Sequence, residues 1–152
     1  MATAIIGVGV VALLSCLASG TRTNDAGQTL TQAAYLAQEI REWSLRLPFK
    51  DPDAGDAGNP PGPDGTDPQT FVDDLDDFYN AAGLTYSPPR DGRGVTIANM
   101  TSWAQKLTLT WRSPTNLATV VAPGTSDLIY VQVTVSYHGR DILTSGWLVS
   151  KR

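Results

Sequence analysis

Nine of the fifteen acidic residues are aspartates between Asp51 and Asp77, and no lysine or arginine interrupts the stretch from Asp51 to Pro89. Carboxylates at that density can hold a hard cation. Calcium takes about six to eight oxygen ligands, many of them from such side chains. The spacing Asp51-x-Asp53-x-x-Asp56, joined by Asp73, Asp74, Asp76 and Asp77 from a neighbouring turn, is the candidate calcium set. It lacks the glycine and terminal glutamate positions of an EF-hand. A solvated acidic loop is the other reading of the same residues. No other feature of the chain calls for a cofactor.

The remaining reactive side chains are few. His138 is the single histidine and Cys16 the single cysteine, so a zinc cluster, a histidine-based triad and an intramolecular disulfide all lack their parts. No nucleophile–base pair, phosphate loop or catalytic metal cluster is spaced along the chain, and the expectation is a protein that is not an enzyme. A net charge of −4 with no basic stripe argues against nucleic acid as a partner. Asn99-Met100-Thr101 is a glycosylation sequon, which makes Asn99 a candidate modification site.

These residues must be positioned by a chain that opens with no charge from Ala2 to Gly20. An apolar run of that length is at the short end of what crosses a bilayer as a helix. Beyond it the pattern turns one-sided. Leu36, Ile40, Trp43 and Leu47 fall on one stripe, widened by Leu30, Ala33 and Ala37, with Gln32, Glu39, Glu42 and Arg46 opposite. Glu42 and Arg46 have the spacing of a favourable helical pair. Pro48 stops the helix. One helix over 1–47 is expected, apolar over 1–20 and amphipathic over 21–47. At 1.5 Å per residue it would run roughly 70 Å, so its apolar half is expected to extend past its own domain. Gly7, Gly9, Gly20 and the polar stretch Thr21 to Thr29 are the places where any bend or loss of helix is expected.

The run "TAIIGVGVVALLSCLASG" followed by "AAYLAQEI" resembles the N-terminal helix of type IV pilins and of type II secretion pseudopilins. The resemblance implies an apolar half-helix that sits in the inner membrane and later packs in a filament core. It implies an assembly interface of Ala4, Ile5, Ile6, Gly7, Val8, Val10, Val11, Leu13, Leu14 and Leu17. Aligning Ala4-Ile5-Ile6-Gly7 on the family motif leaves the basic leader, the cleavage site and the motif's glutamate without counterparts, and the true start is expected upstream of Met1. The segment "FVDDLDDFYNAAGLTYSPPRDGRGVTIANMTSWAQKLTL" is similar to heads of planctomycete-type pilin-like proteins. Implied partners are copies of the same chain, the inner membrane before assembly, and pilus or secretion machinery. Implied locations are the inner membrane and then the cell surface, or the periplasm for a pseudopilin. A third reading takes Leu13-Leu14-Ser15-Cys16 as a lipobox, giving a binding module anchored through Cys16.

The head is expected over 48–152. It starts with an acidic Pro/Gly loop, 48–80, and ends in an antiparallel sheet of about three to four strands over 103–150. Trp103, Gln105, Leu107, Leu109 and Trp111 share one strand face, and Ile129, Val131, Val133, Val135 and Tyr137 share another. A third run, 141–150, pairs with the second through a tight turn at His138-Gly139. The one long apolar helix stripe must cover that sheet. The expected class is therefore α+β, with Leu36, Ile40, Trp43 and Leu47 as the helix–sheet contact.

Overall fold

The computed structural model describes residues 2–51, 60–63 and 72–151, with side chains from Leu14 onward. Helix α1 spans Ala2–Arg46, β1 Leu84–Tyr86, β2 Trp103–Trp111, β3 Leu128–Tyr137 and β4 Arg140–Ser150, and a 3₁₀ turn covers Asp76–Phe78. The chain divides into two units, one ending at Gln32 and the other beginning at Ala33. The first unit is helix alone.

In the second unit the four strands form one antiparallel sheet in the order β1-β2-β3-β4. Alternation decides which side of each strand is covered. Leu107, Leu109 and Trp111 of β2 and Ile129, Val131, Val133 and Val135 of β3 are buried, while the residues between them face the wetter side. Residues 33–46 of α1 pack on this covered face with Ala33, Leu36, Ala37, Ile40 and Trp43 in the core, and Leu47 is half-buried against it. Burying side chains of this size contributes about 1.5–3 kcal/mol each before entropy is counted. The architecture is α+β, a helix laid on an antiparallel sheet.

The hairpin between β3 and β4 turns at His138 and Gly139, both left-handed at φ 49° and 74°. That pair of positive angles matches the right-handed twist of the strands it joins. On β4, Leu143, Trp147 and Val149 are half-buried against the core, and the Trp147 indole N–H donates to Ser44 Oγ at 3.2 Å.

Several local expectations change. The stretch Thr21 to Thr29 stays helical. Leu30 is 50% exposed, because at 100° per residue it stands about a quarter turn from the centre of the stripe. Glu42 and Arg46 do not pair; Glu42 accepts from Gln38, and Arg46 donates to the Gly92 carbonyl. The acidic loop is not all surface, since its last part delivers Leu75 and Phe78 into the core.

Candidate functional surfaces

The polar side chains of the first unit explain how its helix continues. Thr21 donates to the Leu17 carbonyl at 2.9 Å, Thr23 to Ser19 at 3.0 Å, Thr29 to Asp25 at 2.9 Å and Thr31 to Gly27 at 2.8 Å. Each hydroxyl is satisfied within its own helix, so it does not compete for backbone N–H groups. Side chains of this kind are common where helices meet in apolar surroundings. Gly20, Thr23, Asn24, Gly27, Gln28 and Thr31 line a shallow groove on one side, and a methyl added at Gly20 or Gly27 would meet nothing within 4 Å.

Every residue from Leu14 to Gln28 is exposed. Leu14 is 60% and Leu17 68% accessible, and Cys16 lies among them with a free thiol. Ala4, Ile5, Ile6, Gly7, Val8, Val10, Val11 and Leu13 are helical in backbone, and their side chains lie outside the described residues. Among the described residues no helix is long and apolar enough to cross a membrane.

The aspartates divide by what they touch. Asp74 Oδ1 accepts the N–H groups of Asp76 at 2.8 Å and Asp77 at 3.0 Å, while Asp77 Oδ2 accepts those of Asp73 at 2.8 Å and Asp74 at 3.2 Å. This reciprocal pair folds the segment into a tight turn, which the bond from Leu75 N–H to the Pro48 carbonyl ties to the end of the helix region. Asp74 and Asp77 are each only 2% exposed, and each accepts backbone N–H groups of the turn, with the Asp76 side chain also hydrogen-bonded to Asp74. Asp73 and Asp76 are half-buried in the same turn, Asp51 is half-buried, and Asp53 and Asp56 lie outside the described residues. Among the described residues no three potential ligands gather to hold a metal ion.

Burial pushes the Asp74 carboxyl up to about 8, with Asp76 and Asp77 adding to the rise and the Asp77 N–H opposing it. The native state therefore keeps a proton that the unfolded chain releases near pH 3.8. Its stabilising effect is complete below the unfolded value and is lost as pH rises through the native one. Stability is expected to fall by on the order of 2 kcal/mol between those limits, after discounting for residual solvent access. Asp74→Asn keeps the Oδ1 acceptor and removes the titration. Urea midpoints at pH 4.5 and pH 8.5 should differ in the native chain and converge in the variant; an equal slope in both would show that another group carries it.

Sequence reasoning passed over a second polar cluster, which fixes the segment after β1. Gln105 lies fully buried on the apolar face of β2. Its Nε2 donates to the carbonyls of Leu36 at 2.8 Å and Arg90 at 3.1 Å, and its Oε1 accepts the Arg90 N–H at 2.7 Å. Glu39 accepts the Gly92 N–H, and Gly94 packs against the Trp43 ring. The one visible signal was a glutamine among leucines. Asn99 is exposed in a turn at φ 63°, and His138 occupies the hairpin turn.

Compared with protein-family models, curated proteins and solved structures, the chain gives no match.

Proposed function

We propose that the chain is a structural subunit of a type IV pilus-like filament, assembled by bundling the N-terminal helices of many copies while the α+β units provide the filament's outer surface. The observation that carries this reading is the unbroken exposure of α1 from Leu14 to Gln28, including Leu14 and Leu17. Helices in proteins draw most of their stability from packing one face against something else. A helix exposed over its described residues, with its threonine hydroxyls already satisfied, is suited to covering by identical neighbours. In such a bundle the apolar side chains exchange lipid for one another rather than for water. Subunits are held in the inner membrane until the assembly machinery draws them into the fibre.

The test is electron microscopy of the purified full chain after detergent removal. Long fibres are expected. Leu17→Lys places a charge in the bundle and should cut fibre yield roughly a hundredfold, the cost of a lysine in an apolar helix centre. Circular dichroism of the variant should match the native chain, because Leu17 is largely exposed. A full-length native chain that stays monomeric in detergent-free water, or fibres unaffected by Leu17→Lys, would end the proposal.

A further inference from the structure

Arg22 and Asp25 are the only charged residues between Ala2 and Gln38, and both lie in the exposed run from Leu14 to Gln28. Among the described residues neither side chain makes an ion pair or a hydrogen bond. Their order along the helix explains why they leave each other alone. Helical side chains lean toward the N-terminus, so Arg22 leans away from Asp25, and a base ahead of an acid is the weaker order for a pair within one helix. At 100° per residue the two stand about 60° apart, one on each side of a line through Ala18 and Thr29. The groove with Gly20 and Gly27 lies on the opposite side of the helix. Each copy therefore presents one free cation and one free anion on a face that is otherwise uncharged.

We propose that Arg22 of each copy pairs with Asp25 of the next copy, and that this pair sets the register in which neighbouring helices meet. The inference rests on the filament reading and deepens it by naming the side chains that match one subunit to another. A charge taken out of water in a bundle of helices is costly unless an opposite charge meets it. Because Arg22 and Asp25 have no other charge near them in the helix, the complement of each is the other residue on a neighbouring copy. With the line through Ala18 and Thr29 turned to the centre of the bundle, Arg22 leans to one neighbour and Asp25 to the other. Such a head-to-tail contact repeats from copy to copy, the kind from which open helical filaments are built. Three residues of helix differ in height by about 4.5 Å, and packed helices lie about 8–10 Å apart, a gap that the long arginine bridges to the short aspartate. Opposite charges meeting in this way select partner and register, since any match that brings like charges together is penalised.

The test measures fibre yield by electron microscopy after detergent removal, with the full chain throughout. Arg22→Asp makes both positions acidic and Asp25→Arg makes both basic, so each variant alone should lose roughly tenfold or more of the native yield. The chain carrying both exchanges should regain it. The two single variants, mixed before detergent is removed, should also form fibres, containing both chains in about equal amounts, because each supplies the charge that the other lacks. Circular dichroism should be unchanged, since both positions are exposed. Rescue by the double exchange without rescue by mixing would mean that the pair closes within one helix, and would overturn the proposal. Loss with Arg22→Asp but not with Asp25→Arg would assign Arg22 to lipid phosphates and overturn it too, as would single variants that assemble like the native chain or a double exchange that forms no fibres. In all of these the native chain still forms fibres and the filament reading stands; a native chain without fibres ends both.

Discussion

Gly94→Ala should be among the most damaging single-methyl additions in the second unit, costing about 3 kcal/mol. Two effects add. Gly94 has φ 78°, a conformation that costs an ordinary L-residue about 1–2 kcal/mol. A Cβ there would also lie 2.5 Å from Trp43 Cζ2 and 2.7 Å from Cε2, so the indole would have to move. It has little room. The Trp43 ring meets Phe78 edge-on with centroids 4.8 Å apart and leans on Tyr86 at 5.6 Å. Close-packed interiors resist even one added methyl group. Gly139→Ala provides the control, since Gly139 has φ 74° and nothing within 4 Å of the added methyl. It should lose only the backbone part, about 1 kcal/mol. Guanidinium unfolding followed by circular dichroism measures both. Equal losses would mean that the Trp43 contact is not what Gly94 protects.

The elements that were legible in sequence are those whose two faces differ over many residues. β2 and β3 alternate apolar and polar positions through nine and ten residues, and no helical period imitates that. The stripe Leu36, Ile40, Trp43 was equally plain, because a period near 3.6 repeated for three turns. β1 escaped because three residues, Leu84–Tyr86, are too few to display a period, and its place at the sheet edge follows from pairing with Leu107, Lys106 and Gln105. Leu30 misled because an apolar residue at the margin of a stripe looks the same in sequence as one at its centre.

The aspartates teach a different lesson. Composition reveals charge but not direction, and seven carboxylates on one stretch of chain suggest a ligand shell whichever way they point. In Asp74 and Asp77 they point inward at N–H groups two to four residues away, which is turn chemistry. The cluster that fixes the segment after β1 was out of reach for the opposite reason. Gln105 and Leu36 are 69 residues apart and Glu39 and Gly92 are 53 apart, so nothing local in the chain indicates that they meet.

Gln105→Leu should cost about 2–4 kcal/mol although it swaps a polar side chain for an apolar one of similar size in a buried place. The reason is what it leaves behind. The Arg90 N–H loses its acceptor at 2.7 Å, and the Arg90 carbonyl loses the amide donor at 3.1 Å. Leucine offers neither, and a part-buried backbone group without a partner forfeits much of its hydration. The Leu36 carbonyl is less affected, because it belongs to the helix ladder. Gln105→Glu separates donor from acceptor. It keeps an oxygen for the Arg90 N–H but turns a carboxylate toward the carbonyls of Leu36 and Arg90, so burial and those oxygens should raise its pKa above the unfolded value of about 4.3. A raised carboxyl stabilises the fold only while protonated, so the Glu variant should lose stability as pH rises through its native pKa, whereas the Leu variant's deficit relative to native should stay level across the same range. Thermal melts of the three chains at pH 4 and pH 7.5 decide it. A Glu variant as stable as native at pH 7.5 would mean that the amide donor contributes nothing and that Gln105 serves only as an acceptor for Arg90.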